Sequence, residues 1–180
     1  MEPDSEKAKF VGVIRSLREG DIPDLRKISE FWLRDNGVIA YEEVDGDMKT
    51  LGESLLPDSG KSMFVAESEA GEVVGMMGLS AKLKPALMRF ARTDNPSELI
   101  IAYVDPNYVR GKRVGTLLIN RCQDLEMGLG KKEILLESGP RHEDTGHPFY
   151  DKQSGFSRVG VIPDFYGPGL DTVVWQKTFN

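Results

Sequence analysis

The stretch Val104-Asp105-Pro106-Asn107-Tyr108-Val109-Arg110-Gly111-Lys112-Arg113-Val114-Gly115-Thr116 decides the interpretation of this sequence. A buried strand ends at its beginning, a basic loop fills its middle, and an amphipathic helix begins at its end. The first N–H groups of a helix lack partners within the helix, and the helix dipole makes that end positive. The stretch therefore predicts an anion site that fits a diphosphate. Positive side chains and glycines that permit close approach support this prediction: Arg110, Lys112, Arg113, Gly111 and Gly115.

Two common phosphate-binding patterns are absent from this stretch. It contains neither the G-x-G-x-x-G of dinucleotide-binding folds nor the G-x-x-x-x-G-K-S/T of P-loops. The stretch alone leaves one simpler alternative, which is a solvated basic turn followed by a helix cap.

The flanking sequence contains interleaved strand and helix patterns. Their order is strand, helix, helix, three strands, helix, strand, helix and two strands, which predicts an α/β or α+β sandwich about a mixed sheet. Asn36-Gly37 is interpreted as the end of the first helix, and residues 81–97 as an extended, partly mobile link. The helix after the loop has an apolar stripe at helical spacing, formed by Val114, Leu117, Leu118, Cys122, Leu125 and Leu129. The predicted helices cover residues 21–36, part of 44–56, 114–127 and 147–153, and the predicted strands cover 11–19, 63–67, 72–79, 98–104, 133–137, 156–162 and 171–179.

Length and hydropathy indicate one domain. The chain has 180 residues, which fits a flexible leader over residues 1–10 and a single domain over 11–180. No apolar run approaches the ~20 residues of a membrane helix, and residues 1–9 lack the apolar centre of a signal peptide. We therefore expect a cytoplasmic protein that does not bind a membrane.

The numbers of cysteines and histidines and the net charge restrict which disulfides, metal sites and ligands are possible. A single cysteine, Cys122, excludes an internal disulfide and a cysteine-rich zinc site, and two histidines are too few for a histidine metal cage. No metal is expected. The net charge of −6 weakly disfavours nucleic-acid binding and weakly favours a cationic substrate.

The stretch 104–116 resembles motif A of the GNAT superfamily of N-acetyltransferases, whose pattern is Q/R-x-x-G-x-G/A. Arg110, Val114 and Gly115 match, whereas Arg113 stands where the family usually has its first glycine, and one extra residue lies between Val104 and Arg110. The resemblance implies a mixed, mostly antiparallel sheet of six to seven strands flanked by about four helices. It also implies acetyl-coenzyme A as co-substrate. The diphosphate would rest on the backbone of Arg110, Gly111, Lys112, Arg113, Val114, Gly115 and Thr116, and the pantetheine arm would pair with the backbone of Ala102 and Val104.

A second stretch, residues 147–156, resembles motif B of the same family, F-Y-x-K-x-G-F. One residue is inserted before Gly155, and Glu143 stands where the family often has an asparagine. The resemblance covers roughly residues 11–179 and is strongest over 98–160. Within the family, the sequence most resembles the ribosomal-protein alanine N-acetyltransferases.

The resemblance also implies catalytic roles. Tyr150 would protonate the coenzyme's leaving sulfur, and its simpler interpretation is a packed aromatic residue. Two carboxylates compete for the general base. Glu98 is similar to the base of the histone-acetylating branch, and Glu137 to that of the ribosomal-protein alanine branch. We prefer Glu137. Two alternatives remain: both carboxylates are only solvated ends of strands, or a chain of water molecules removes the proton without a single base.

The function implied is transfer of an acetyl group to a primary amine, on a protein N-terminus, a lysine or a small molecule. The acceptor is expected between the first two helices and the 163–170 loop, where Phe31 and Tyr166 would contact it. Acidic residues over 41–47 favour a cationic acceptor. The alternative is a coenzyme A-binding sensor or scaffold without turnover. The acceptor's identity, the acyl-chain length and a homodimer stay open.

Overall fold

A computed structural model describes residues 10–109 and 111–179 of the chain. Seven strands form one sheet within these residues: β1 (Gly12–Ser16), β4 (Lys61–Ser68), β5 (Val73–Ser80), β6 (Pro96–Val104), β7 (Glu133–Ser138), β8 (Ser157–Ile162) and β9 (Thr172–Thr178). Two short strands, β2 (Arg34–Asp35) and β3 (Val38–Ile39), form a separate hairpin. The α-helices are α1 (Ile22–Trp32), α2 (Tyr41–Ser54), α3 (Val114–Gly128) and α4 (Gly146–Asp151).

The strand order in the large sheet is β1-β4-β5-β6-β7-β9-β8. The pairs β1/β4, β7/β9 and β8/β9 are antiparallel, whereas β6 and β7 run parallel, with Glu98 opposite Leu135. Parallel neighbours need a long crossover, and α3 provides it between these two strands. The predicted mixed, mostly antiparallel sheet is confirmed.

Contacts divide the chain into two compact units, of which the first covers residues up to 78 and residues 101–122. Leu25 of α1 and Leu51 of α2 are fully buried in it. Gly75 of β5 permits close packing beneath the first turn of α3, because a Cβ there would lie 3.2 Å from the Tyr103 carbonyl oxygen and 3.3 Å from Val114. Gly75 therefore allows the start of α3 to lie close to β5.

The second unit covers residues 79–100 and those from 123 onward. Side chains alternate between the faces of a strand, so Glu133, Leu135 and Glu137 share one face of β7. A 3₁₀ turn over Pro85–Phe90 covers that face, with Leu87 fully buried in a core cluster with Leu135. The prediction of an extended link over residues 81–97 is therefore wrong, because the apolar side chains of the 3₁₀ turn have a buried surface to pack against.

The interpretation of Asn36-Gly37 as a helix end is also wrong. Helix α1 already ends at Trp32, and these two residues join β2 to β3. Both have positive φ, 50° for Asn36 and 83° for Gly37, as a two-residue hairpin turn of the primed type requires. Helix α2 begins at Tyr41, three residues before the predicted range.

The buried face of α3 differs from the predicted apolar stripe. Leu117 and Leu129 are exposed, although Val114, Leu118 and Cys122 are buried as expected. The polar residues Gln123 and Glu126 are buried with them. The face is therefore partly polar toward the end of the helix. No helix within residues 10–109 and 111–179 is long and apolar enough to cross a membrane.

The Glu126 carboxyl is a buried titratable group in α3. Burial raises its pKa, while a hydrogen bond with Ser97 and the attraction of Lys131 act in the opposite direction. Its Oε2 has no hydrogen-bond partner among the described residues. Since the folded protein then binds this proton more tightly than the unfolded chain, the free energy of unfolding falls as the pH rises from about 4 through the raised pKa.

We predict that Glu126→Gln stabilises the protein at pH 8 by about 1 kcal/mol and has little effect at pH 4, because glutamine carries no charge to desolvate. Urea unfolding at the two pH values measures this difference. Asp124→Asn, an exposed carboxylate on the same helix, is the matched control and should show no pH-dependent gain. A loss of stability at pH 8 would show that the carboxylate is favourably paired.

Candidate active site

The loop after β6 is fixed by its own backbone. The N–H of Asp105 donates to the Val74 carbonyl at 2.8 Å, and the Asp105 carboxylate accepts from the Asn107 N–H at 2.8 Å. The N–H of Tyr108 donates to the Asp105 carbonyl at 2.7 Å. These bonds turn the chain sharply as it leaves the strand. Arg110, predicted to bind the diphosphate, lies outside the described residues.

The end of the loop places the start of α3. Gly111 has φ 79° and Arg113 has φ 63°, so both adopt the left-handed conformation. The Arg113 carbonyl accepts from the Leu117 N–H at 3.0 Å, which begins the helix. Arg113 therefore keeps the backbone geometry that glycine favours. Val114 is buried, and Gly115 and Thr116 are half-buried beside it.

The ammonium of Lys112 lies 4.0 Å from the ring centre of Tyr108. A cation over an aromatic face is attracted by the ring's quadrupole. The Lys112 carbonyl also accepts from the Phe10 N–H at 3.3 Å. These contacts hold Lys112 within the loop.

The last residues of β6 depart from regular strand geometry. Ile101 has φ 44°, which is uncommon for a β-branched residue. The register of β6 with β7 covers residues 96–98, and the predicted pantetheine positions Ala102 and Val104 follow later and are half-buried. The indole N–H of Trp32 donates to the Val104 carbonyl at 2.8 Å. No local sequence pattern indicates this bond, which uses one of the carbonyl's two lone pairs.

A carboxylate cluster in the second unit consists of Lys84, Glu98, Glu137, Tyr166 and Thr172. The Lys84 ammonium donates to Glu137 Oε1 at 2.8 Å and lies 3.1 Å from Glu98 Oε1. The backbone N–H of Lys84 donates to Glu98 Oε2 at 2.8 Å. The side chains of Glu98 and Glu137 are 2% and 5% exposed, whereas that of Lys84 is 47% exposed. The lysine thus covers two buried carboxylates from the solvent side.

Two hydroxyl groups complete the cluster around Glu137. Tyr166 donates to its oxygens at 2.8 and 2.9 Å, and the fully buried Thr172 donates to Oε2 at 2.8 Å. Gly139 leaves room for the tyrosine ring, since a Cβ there would lie 2.8 Å from Cε2 of Tyr166. Three side chains therefore orient one carboxylate.

The charge of Lys84 depends on these neighbours. Burial alone would lower its pKa, but the attraction of Glu137 and Glu98, together with the hydrogen bonds to both, outweighs it. The pKa of Lys84 is raised as a result. The lysine is therefore an ammonium ion at neutral pH, and the two carboxylates bind this ammonium group.

Tyr150 is placed by α4 and β9. It is 7% exposed, and its ring centre lies 5.5 Å from that of Trp175. One turn earlier, His147 Nε2 lies 3.1 Å from the carbonyl oxygens of both Ser138 and Gly139, which anchors the helix start to the end of β7. At the helix end, Asp151 accepts from Arg158 and from the Trp175 indole at 2.9 Å, and these bonds lower the pKa of Asp151 to about 2.

The structure brings together part of the predicted site. Glu98 and Glu137, proposed as alternatives, share Lys84, and Tyr166 joins them through Glu137. Phe31 lies on α1, 47% exposed, with its ring centre 5.2 Å from that of Trp32. Sequence reasoning missed Lys84 and Thr172. Within the described residues, no group of three or more His, Cys, Asp or Glu side chains could hold a metal ion.

Comparison with known proteins identifies the family of this chain. Residues 23–156 match the model of the acetyltransferase (GNAT) family. The chain belongs to the GNAT family of acetyltransferases. No curated protein sequence matches the chain significantly.

Solved structures share the fold across nearly the whole chain. A phosphinothricin acetyltransferase from Sinorhizobium meliloti in complex with acetyl-coenzyme A is 24% identical, with a TM-score of 0.69 and coverage of 94% of this chain and 89% of that one. A ribosomal-protein-alanine N-acetyltransferase from Brucella melitensis is 22% identical, with a TM-score of 0.68 and coverage of 93% and 99%. A variant of spermidine N-acetyltransferase from Vibrio cholerae is 19% identical, with a TM-score of 0.63 and coverage of 92% and 94%. At these identities the likeness shows the fold alone.

The left-handed backbone of Arg113 yields a prediction. Arg113→Gly should stabilise the protein by about 1 kcal/mol, because glycine adopts positive φ without the clash of a Cβ. Chemical unfolding measures the change. Lys112→Gly, one residue earlier and outside the left-handed region, is the control and should destabilise. A destabilised Arg113→Gly would mean that the arginine side chain stabilises the loop by more than its backbone strain.

Proposed function

We propose that this protein transfers an acetyl group from acetyl-coenzyme A to a primary amine. The observation that carries the proposal is the ammonium of Lys84 held between Glu98 and Glu137, at 3.1 and 2.8 Å. A site that already holds one ammonium has the charge and hydrogen-bond acceptors for the ammonium of an acceptor. The named substrates of the similar structures, among them ribosomal-protein alanine and spermidine, are consistent with amines of different sizes.

Binding of acetyl-coenzyme A is proposed at the loop that begins α3. The first-turn N–H groups of the helix suit a diphosphate, and Gly111 and Gly115 leave the backbone open to close approach. Ala102 and Val104 are proposed to pair with the pantetheine arm. The support is the family's motif, the positive helix end and a similar structure described in complex with acetyl-coenzyme A.

The proposed reaction removes two protons from the acceptor's ammonium; one of them replaces the proton that the leaving sulfur takes, and the other passes from the base to solvent. The acceptor's ammonium gives a proton to a carboxylate, for which Glu137 is our preferred candidate, and the freed lone pair forms the bond to the thioester carbon. The carbon–sulfur bond then breaks, and Tyr150 protonates the leaving thiolate. The second nitrogen proton passes through water to the tyrosine oxygen. Phe31 and Tyr166 are proposed to contact the acceptor.

The proposal is tested by release of coenzyme A in the presence of a panel of amines. The panel contains spermidine, an aminoglycoside, an alanine-terminated peptide and propylamine, and mass spectrometry identifies the acetylated product. Transfer to at least one amine is expected. If calorimetry shows that acetyl-coenzyme A binds while no amine is acetylated, the chain is a sensor or scaffold and the proposed function is wrong. Gly115→Val serves as the binding control and should weaken coenzyme affinity at least tenfold, which is about 1.4 kcal/mol.

The hydroxyl of Tyr150 yields the next prediction. Tyr150→Phe should lower kcat by roughly 10²–10⁴-fold, the usual range for loss of a general acid. Stability and coenzyme affinity should change little, because the ring still packs on Trp175. Steady-state rates over a range of pH, combined with calorimetry, measure both. Turnover at the parent rate over the whole range would show that the hydroxyl is structural. Tyr166→Phe should instead mainly raise the acceptor's KM.

A further inference from the structure

The Lys84 ammonium lies between two buried carboxylates, at the end of a side chain that is partly exposed to solvent. Both carboxylates beside it are almost completely covered, whereas the lysine side chain is 47% exposed. Two buried carboxylates facing one point repel each other and need a nearby positive charge. Lys84 supplies that charge, and the three groups together carry a net charge of −1.

Lys84 contacts the two carboxylates in two ways, through its backbone N–H and through its side-chain ammonium. Its backbone N–H donates to Glu98 Oε2 at 2.8 Å, and Leu87 anchors the following turn in the core. Its ammonium, at the end of a four-carbon stem, contacts both Glu98 and Glu137. The ammonium can therefore leave Glu137 while the backbone bond keeps Glu98 paired and the turn in place.

The ammonium of a primary amine has the same chemistry as that of lysine: one charge and three N–H donors. We propose that Lys84 is a specificity-determining residue, which occupies the position of the acceptor's ammonium and is displaced from Glu137 when the acceptor binds. The inference rests on the proposed transfer to a primary amine and adds the mode of acceptor binding. The lysine therefore competes with the acceptor's ammonium for Glu137. One lysine cannot neutralise two carboxylates, so one further positive charge can bind beside it.

Removing the competitor should tighten acceptor binding. Lys84→Met keeps most of the stem and removes the charge. We expect the KM for propylamine to fall about tenfold and the KM for 1,3-diaminopropane to fall further, since two uncompensated carboxylates attract a dication more strongly. The KM for acetyl-coenzyme A should not change. Lys82→Met, an exposed lysine on the same segment, is the control and should leave all constants unchanged.

A second variant covers the case in which Lys84→Met does not fold. Lys84→Arg keeps the positive charge and binds carboxylates through a planar fork, so it should be harder to displace. The KM for propylamine should then rise several-fold while the KM for acetyl-coenzyme A is unchanged. Unchanged amine KM values in a folded Lys84→Met, or in Lys84→Arg, would overturn the inference and leave Lys84 with a stabilising role.

Binding without turnover separates this inference from the proposed function. Calorimetry with propylammonium alone should detect binding to Lys84→Met at least tenfold tighter than to the parent protein. If this binding is observed but no amine is acetylated, the displacement of Lys84 is supported and the proposed acetyl transfer is wrong. Acetylation of amines with equal propylammonium affinity in both proteins would leave the proposed function standing and overturn this inference.

Discussion

The candidate site depends on one face of β7, where Glu133 and Leu135 are fully buried and the side chain of Glu137 is 5% exposed. Two of these three side chains are carboxylates, which are costly to bury without partners. At the start of the strand, Glu133 accepts from the N–H groups of Arg92 and Thr93 at 3.0–3.1 Å. At its end, Glu137 accepts from Lys84. The segment over residues 84–93 is therefore attached at both ends and packs through Leu87 in between, which places a lysine against the carboxylate pair.

This arrangement bears on the proposed general base. Sequence reasoning treated Glu98 and Glu137 as alternatives, whereas the structure joins them through one ammonium. Glu137 also receives hydrogen bonds from Tyr166 and Thr172, so its oxygens are oriented before any acceptor arrives. Displacement of Lys84 by an acceptor would give Glu137 a proton donor of the right chemistry, while Glu98 keeps its bond to the Lys84 backbone.

The sequence predicted the elements that local patterns specify. The strands around Glu98 and Glu137, the loop to α3 and the mostly antiparallel sheet follow from hydrophobic runs, glycines and the family's motifs. It failed where contacts link distant residues. In the sequence, Leu87 lies in a basic segment interrupted by prolines, and nothing local shows that it covers β7. Trp32 donates to a carbonyl 72 residues away, which no local pattern predicts. The alternation of Glu133, Leu135 and Glu137 in one strand was a usable signal, because charged residues on a buried face require partners. Arg113 at a usual glycine position likewise indicated positive φ.

The candidate site requires that Lys84 and Glu137 interact strongly in the folded protein. A double-mutant cycle measures this directly, with Lys84→Met, Glu137→Gln and the double variant compared by chemical unfolding at neutral pH. Because the pair is close and largely desolvated, the account predicts a coupling free energy of about 1–3 kcal/mol, so that the double variant loses less stability than the two single variants combined. Additive losses, equal to within about 0.5 kcal/mol, would contradict it and show that the lysine does not bridge the carboxylates.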